Sequence, residues 1–85
     1  MIGIELPKYR CIKEVNALKI AKVVEEADGG ATLRFNLARY APIKTSPAYV
    51  AKHDPQAGGY YVVYKDGYRS WSPADAFEDG YTKIS

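Results

Sequence analysis

His53 is the one histidine of the chain and Cys11 the one cysteine, so acid–base or thiolate chemistry would have to start from them. A general base needs an oriented partner within hydrogen-bond reach. Asp54 follows His53 directly, but adjacency in sequence does not orient a dyad, and a basic residue ending a short helix also suits the helix dipole. The structural reading of His53 is preferred. A reactive Cys11 needs a lowered pKa and access to solvent. Arg10 and Lys13 lie close to it, yet a lone cysteine is most often a small buried hydrophobe. One His and one Cys do not make a zinc shell of familiar spacing. Asp75, Glu78 and Asp79 could in principle hold a cation or work on a glycoside, but helix capping and solvation account for them more simply. Gly29-Gly30 and Gly58-Gly59 precede strands rather than helices, so neither is a phosphate loop. These residues predict no enzyme, no metal site and no cofactor.

The aromatic residues are the stronger lead. Tyr60, Tyr61, Tyr64, Tyr68 and Trp71 fall within twelve residues, with Lys65 and Arg69 among them. Rings with nearby cations form stacking platforms for nucleotides and single strands, and Tyr, Trp and Arg are equally the residues of protein–protein hot spots. The plain alternative is that most of these rings are the core of a small domain. One mixed arrangement puts Tyr60, Val62 and Tyr64 inside and leaves Tyr61, Arg69 and Trp71 partly exposed; the reverse assignment fits equally well. The candidate binding surface is Tyr61, Lys65, Tyr68, Arg69 and Trp71.

The elements that must position these side chains can be read from punctuation and periodicity. Gly59 to Trp71 is a run of aromatic and β-branched residues broken by Asp66-Gly67, the signature of a β-hairpin with a two-residue turn. Apolar residues on both sides of Tyr60–Tyr64 predict a central or doubly covered strand. Ser72-Pro73-Ala74-Asp75 has the pattern of a capped helix start, with Asp75 in the place of the usual Glu or Gln. The expected helix covers about 73–79, anchored by Phe77 and ended by a left-handed Gly80. Ser46-Pro47 opens a similar helix over about 47–53, with Ser46 as cap and Pro47 at the first position. Pro55 stops it by disfavouring helix at Asp54.

Upstream, Ala27-Asp28-Gly29-Gly30 is a turn. Ala31, Leu33, Phe35 and Leu37 alternate with polar residues as a half-buried strand. Residues 15–26 fit an imperfect helical stripe and also a period-two strand; their Ile and Val content favours the strand, which would form a hairpin with 31–37. Residues 38–44 read as a connection, with Tyr40 and Ile43 folding inward. A strand carrying Tyr9 and Cys11 is expected over about 8–14, and a short strand or tail over 81–84. The fold class is α+β: a small antiparallel sheet of three to five strands with two short helices, in a single domain over residues 1–85.

Composition sets the limits. Eighty-five residues support one small core, and eight tyrosines against two phenylalanines suit a thin domain whose rings keep their polar tips wet. Formal net charge is +2, which argues against a broad phosphate-binding surface. Residues 1–44 carry eight basic and five acidic side chains, +3, against four and five, −1, in the remainder, so a modest basic face on the first half is expected. A single cysteine fits a reducing compartment. No apolar run follows the early basic residues and none approaches the roughly 20 residues of a membrane span. The expected location is the cytoplasm of a bacterial host, with no membrane association.

The segments Tyr49-Val50-Ala51-Lys52-His53-Asp54-Pro55, Gly58-Gly59-Tyr60-Tyr61-Val62-Val63-Tyr64 and Asp66-Gly67-Tyr68, with Ser70, Ser72-Pro73, Ala76-Phe77-Glu78 and Gly80-Tyr81, resemble a family of short proteins of tailed bacteriophages and prophages. Lys8-Tyr9-Arg10-Cys11 with Ala17-Leu18-Lys19-Ile20 resembles their start. The resemblance implies a phage setting and carries over no catalytic role. The first functional reading is a non-enzymatic phage or prophage accessory protein that binds a host or phage protein, with a homodimer through an exposed hairpin edge as an extension of it. The second is a nucleic-acid or nucleotide-binding module using Tyr61, Arg69 and Trp71. The third is a small structural component of the virion.

Overall fold

The computed structural model describes residues 14–82, so the proposed strand over 8–14, with Tyr9 and Cys11, lies almost wholly outside the described residues, as do Lys83 and Ile84. Five strands and two helices follow in the order β1 (Asn16–Glu25), β2 (Ala31–Phe35), β3 (Ile43–Thr45), α1 (Pro47–His53), β4 (Tyr60–Val63), β5 (Arg69–Ser72) and α2 (Ala74–Gly80). All strand pairs are antiparallel, and the sheet order is β3-β2-β1-β4-β5. The fold is thus α+β as the sequence predicts, and the ambiguous stretch 15–26 is a strand over Asn16–Glu25.

β1 is the spine. Its first residues pair with β4 (Asn16 opposite Val63 to Lys19 opposite Tyr60), and its later ones pair with β2 (Ile20 opposite Phe35, then Lys22 opposite Arg34 to Glu25 opposite Ala31). The register shifts between Ile20 and Lys22, leaving Ala21 as the extra residue of a bulge. Simple alternation over residues 17–24 would put Ile20 and Val23 on opposite sides. The bulge returns Val23 to the side of Ile20, and both pack in the core.

That core is Ile20, Leu33 and Tyr61, with Val23, Phe35, Ile43, Tyr49, Val63 and Trp71 packed around it. Directly opposed residues share a sheet face, and the pairs Leu18–Tyr61, Tyr61–Trp71, Val23–Leu33 and Leu33–Ile43 all fall on this one. The other face carries Lys22, Arg34, Thr32, Lys44, Tyr60 and Val62. β4 lies inside the sheet between β1 and β5, as its two apolar sides predict.

Both hairpins close through the same loop. Glu26 N–H donates to Gly30 O (2.9 Å) and Gly29 N–H to Glu26 O (3.1 Å); Tyr64 N–H donates to Tyr68 O (2.9 Å) and Gly67 N–H to Tyr64 O (2.8 Å). In each loop the glycine takes a φ of +91°, and an Asp carboxylate (Asp28, Asp66) accepts the N–H two residues on. These are three-residue loops, a tight turn followed by a left-handed residue, and not the two-residue turn that Asp66-Gly67 suggests.

The helices differ despite their matching starts. Ser46 caps α1, its Oγ accepting Tyr49 N–H at 3.1 Å, with Pro47 in the first helical turn. α1 ends at Asp54, which takes a left-handed φ of 43°. α2 does not use Ser72, which is the last residue of β5 opposite Tyr60. Its cap position is Pro73, without a side-chain cap, so the expected capping box is absent. Gly80 belongs to the helix, and the chain leaves through an extended Tyr81 rather than a left-handed glycine. Tyr81 and Thr82 form no strand.

Three further expectations are corrected. Residues 43–45 form a strand rather than part of a connection, fixed by Thr45, whose buried hydroxyl donates to Ala31 O at 2.7 Å. Leu37 lies beyond β2 and is 49% exposed, because the chain turns there through Tyr40 N–H to Leu37 O (3.0 Å). Tyr40 is 41% exposed, not folded inward, and sits beneath the Arg39 guanidinium.

Candidate interaction surface

The hairpin residues divide sharply. Tyr61 is only 5% exposed and belongs to the core, which removes it from the candidate binding surface. It sits on the inner strand β4 opposite Leu18 and Trp71, with Tyr49 of α1 packed against it. Trp71 is half-buried. Its indole lies against Gly59, and Nε1 donates to Gln56 O at 3.3 Å. Lys65, Tyr68 and Arg69 are exposed and crowd the loop end of the hairpin.

α1 docks beside this end. The Tyr49 hydroxyl donates to Ser70 O (2.8 Å), and its ring stands 6.2 Å from Tyr61 and 4.7 Å from His53. His53 meets the edge of Tyr68 (6.1 Å), Tyr68 lies 5.8 Å from Tyr64, and Lys52 Nζ sits 5.0 Å over the Tyr68 ring. A line of rings therefore runs from core to surface: Tyr61, Tyr49, His53, Tyr68, Tyr64. Burial pushes the Tyr49 pKa up to about 12, reinforced by Tyr61 and Tyr68 and opposed by Arg69. Burial and then Lys52 hold His53 below the usual imidazole range, so it is neutral at pH 7.

These contacts decide what His53 can do. Its Nε2 lies 3.5 Å from the Tyr68 hydroxyl, while the Asp54 carboxylate accepts from Gln56 Nε2 at 3.1 Å. His53 and Asp54 do not form an acid–base dyad. No group of three or more His, Cys, Asp or Glu among the described residues could hold a metal ion. No described helix is long and apolar enough to cross a membrane.

On the opposite face the sequence reading missed a second cluster. Tyr60 stacks on Phe77 at 4.2 Å and Phe77 on Tyr81 at 4.5 Å, fastening α2 to β4. The Tyr60 hydroxyl donates to Glu78 at 2.8 Å, and Lys19 pairs with the same carboxylate at 3.5 Å. The Tyr60 bond, then Lys19, lowers the Glu78 pKa; the same bond raises that of Tyr60. The spacing of Phe77 and Tyr81 by four residues was the available signal.

No protein-family model matches the chain, and no curated protein matches it. A solved structure does: the monomeric form of the phage L decoration protein, determined by NMR in solution, is similar to it with a TM-score of 0.66 and 33% sequence identity over 86% of this chain. The chain spans about half (54%) of the length of that protein. The likeness agrees with the phage setting implied by the sequence resemblance.

Proposed function

We propose that this chain is a non-enzymatic component of a phage particle that binds a phage capsid protein. The observation that carries this reading is the shared fold and sequence with a phage decoration protein. Of the three functions left open by the sequence, it favours the small virion component over an accessory protein directed at a host protein. The surface offered for binding is the loop end of the β4–β5 hairpin: Lys65, the 44%-exposed Tyr68 and Arg69, backed by Trp71 and by α1. Tyr and Arg are the side chains most often dominant in such interfaces.

Co-sedimentation with capsids built from the major capsid protein of the same genome tests the reading. The chain is expected to pellet with capsids, saturably, and to remain in solution without them. Tyr68→Ala and Arg69→Glu, both at exposed positions, are expected to weaken pelleting while leaving the circular dichroism unchanged. Trp71 is a poorer probe, because its indole also packs against Gly59. A folded chain that stays in the supernatant at all capsid concentrations would refute the proposal.

A further inference from the structure

The face of the sheet away from the Ile20–Leu33–Tyr61 core holds an arrangement that the hairpin surface does not use. Lys22 on β1 stands directly opposite Arg34 on β2, and Lys44 on β3 stands opposite Thr32, two residues along β2 from Arg34. Directly opposed Cβ atoms lie about 4.5–5.5 Å apart and diagonal ones about 7–8 Å, so three cations share one small patch. All three side chains are exposed. Among the described residues none of them has an ion-pair partner. One carboxylate reaches the patch: that of Glu26, which accepts from the hydroxyl of Thr32, the residue opposite Lys44, at 2.7 Å.

Like charges placed directly opposite destabilise a sheet. Lys44 alone would be explained by its edge strand, where lysine discourages sheet-to-sheet pairing. That explanation does not reach Lys22 and Arg34, which lie on the inner strands β1 and β2. We infer that the Lys22–Arg34–Lys44 face is a second interaction surface, and that its occupant is an acidic protein surface. The inference is independent of the capsid reading. Nucleic acid is the less suited anion. Three cations fall short of the roughly 6–10 phosphate contacts of a strong nucleic-acid binder. The rings on this side of the sheet are already stacked among themselves, Tyr60 on Phe77 and Phe77 on Tyr81. A flat patch of separate point charges matches spaced carboxylates on a facing protein.

The test uses the full chain labelled for NMR, titrated at low salt with poly-L-glutamate and, separately, with a short DNA duplex. Poly-L-glutamate is expected to shift the amides of Lys22, Thr32, Arg34 and Lys44 above all others. Binding should fade as salt rises to about 0.3 M, where exposed charges are screened. The double reversal Lys22→Glu with Arg34→Glu should weaken binding about tenfold or more, because attraction becomes repulsion. Lys52→Glu, on α1, should change it little. Shifts centred elsewhere, no shifts at low salt, or tighter binding of the duplex than of poly-L-glutamate would each overturn the inference. None of these arms uses capsids, so its failure is separable from that of the capsid reading.

Discussion

Gly59→Ala isolates one contact. Gly59 is buried and continues the β1–β4 pairing, its carbonyl accepting Ile20 N–H at 2.8 Å. It does not lie in the left-handed region, so alanine is acceptable to the backbone. The conflict is with the neighbour: a Cβ there would lie 2.5 Å from both Cε2 and Cζ2 of Trp71 and would also press on Nε1. The indole has to move, and its bond to Gln56 O moves with it. Overpacking of this kind costs about 1–3 kcal/mol, and the lost hydrogen bond about 0.5–1.5 kcal/mol. A combined loss of about 3 kcal/mol in a chain of this size lowers Tm by roughly 12–24 °C. Thermal melts followed by far-ultraviolet circular dichroism measure the drop, and the fluorescence of Trp71, the one tryptophan, reports the displaced ring. The same substitution in a Trp71→Phe background should cost clearly less, because the smaller ring vacates the clash. An equal cost in both backgrounds, or a wild-type Tm for Gly59→Ala, would refute the reasoning.

Three further outcomes follow from the packing. Leu33→Ala, at a fully buried position, should lose about 2–5 kcal/mol, seen as a lower urea midpoint at unchanged slope. Thr45→Val keeps the shape but removes the buried bond to Ala31 O, and should cost about 1–2 kcal/mol in the same assay. Tyr49 concerns pH. Its folded pKa of about 12 lies above the ordinary 10.0, so between those values the folded state keeps a proton that the unfolded state has lost. Stability from this group is complete below pH 10 and falls as pH rises toward 12. Comparison of denaturation midpoints at successive pH values should show a shallower alkaline decline for Tyr49→Phe than for the wild type, and equal slopes would count against the Tyr49 burial argument.

What could be read from the chain beforehand was governed by how local each signal is. The β1–β2 hairpin and α1 are written in short segments: an alternation over Ala31–Phe35, and a Ser46-Pro47 start followed by a stop before Pro55. The matching Ser72-Pro73 start misled because pairing with Tyr60 keeps Ser72 in β5, and its hydroxyl cannot turn to cap α2. β3, at three residues, is too short to show a period; the Thr45 hydroxyl and pairing with β2 create it. The face of β4 was ambiguous because Tyr60–Val63 is apolar on both sides. Only the bulge at Ala21 and the packing of α1 make the Tyr61 side the core. Of the candidate surface, Lys65 and Tyr68 stayed outside because they sit in or beside the loop, and Arg69 because it opens the edge strand β5. The shared Asp-Gly loop at 27–29 and 65–67 was visible as residues but not as geometry, since the left-handed glycine sits third in each.

β1 reaches β2 with its second half and β4 with its first, and scarcely overlaps the two. The N-terminal meander and the C-terminal hairpin are thus each assembled from near neighbours, and a single seam, from Asn16 opposite Val63 to Lys19 opposite Tyr60, sews them into one sheet. Closing that seam means bringing together residues more than forty positions apart in the chain, a search that local folding does not shorten. Conversely, a disturbance that unzips those few rungs would also split the core, which takes Ile20 and Leu33 from one side of the seam and Tyr61 from the other, and would leave the two parts of the sheet joined only through the α1 connection.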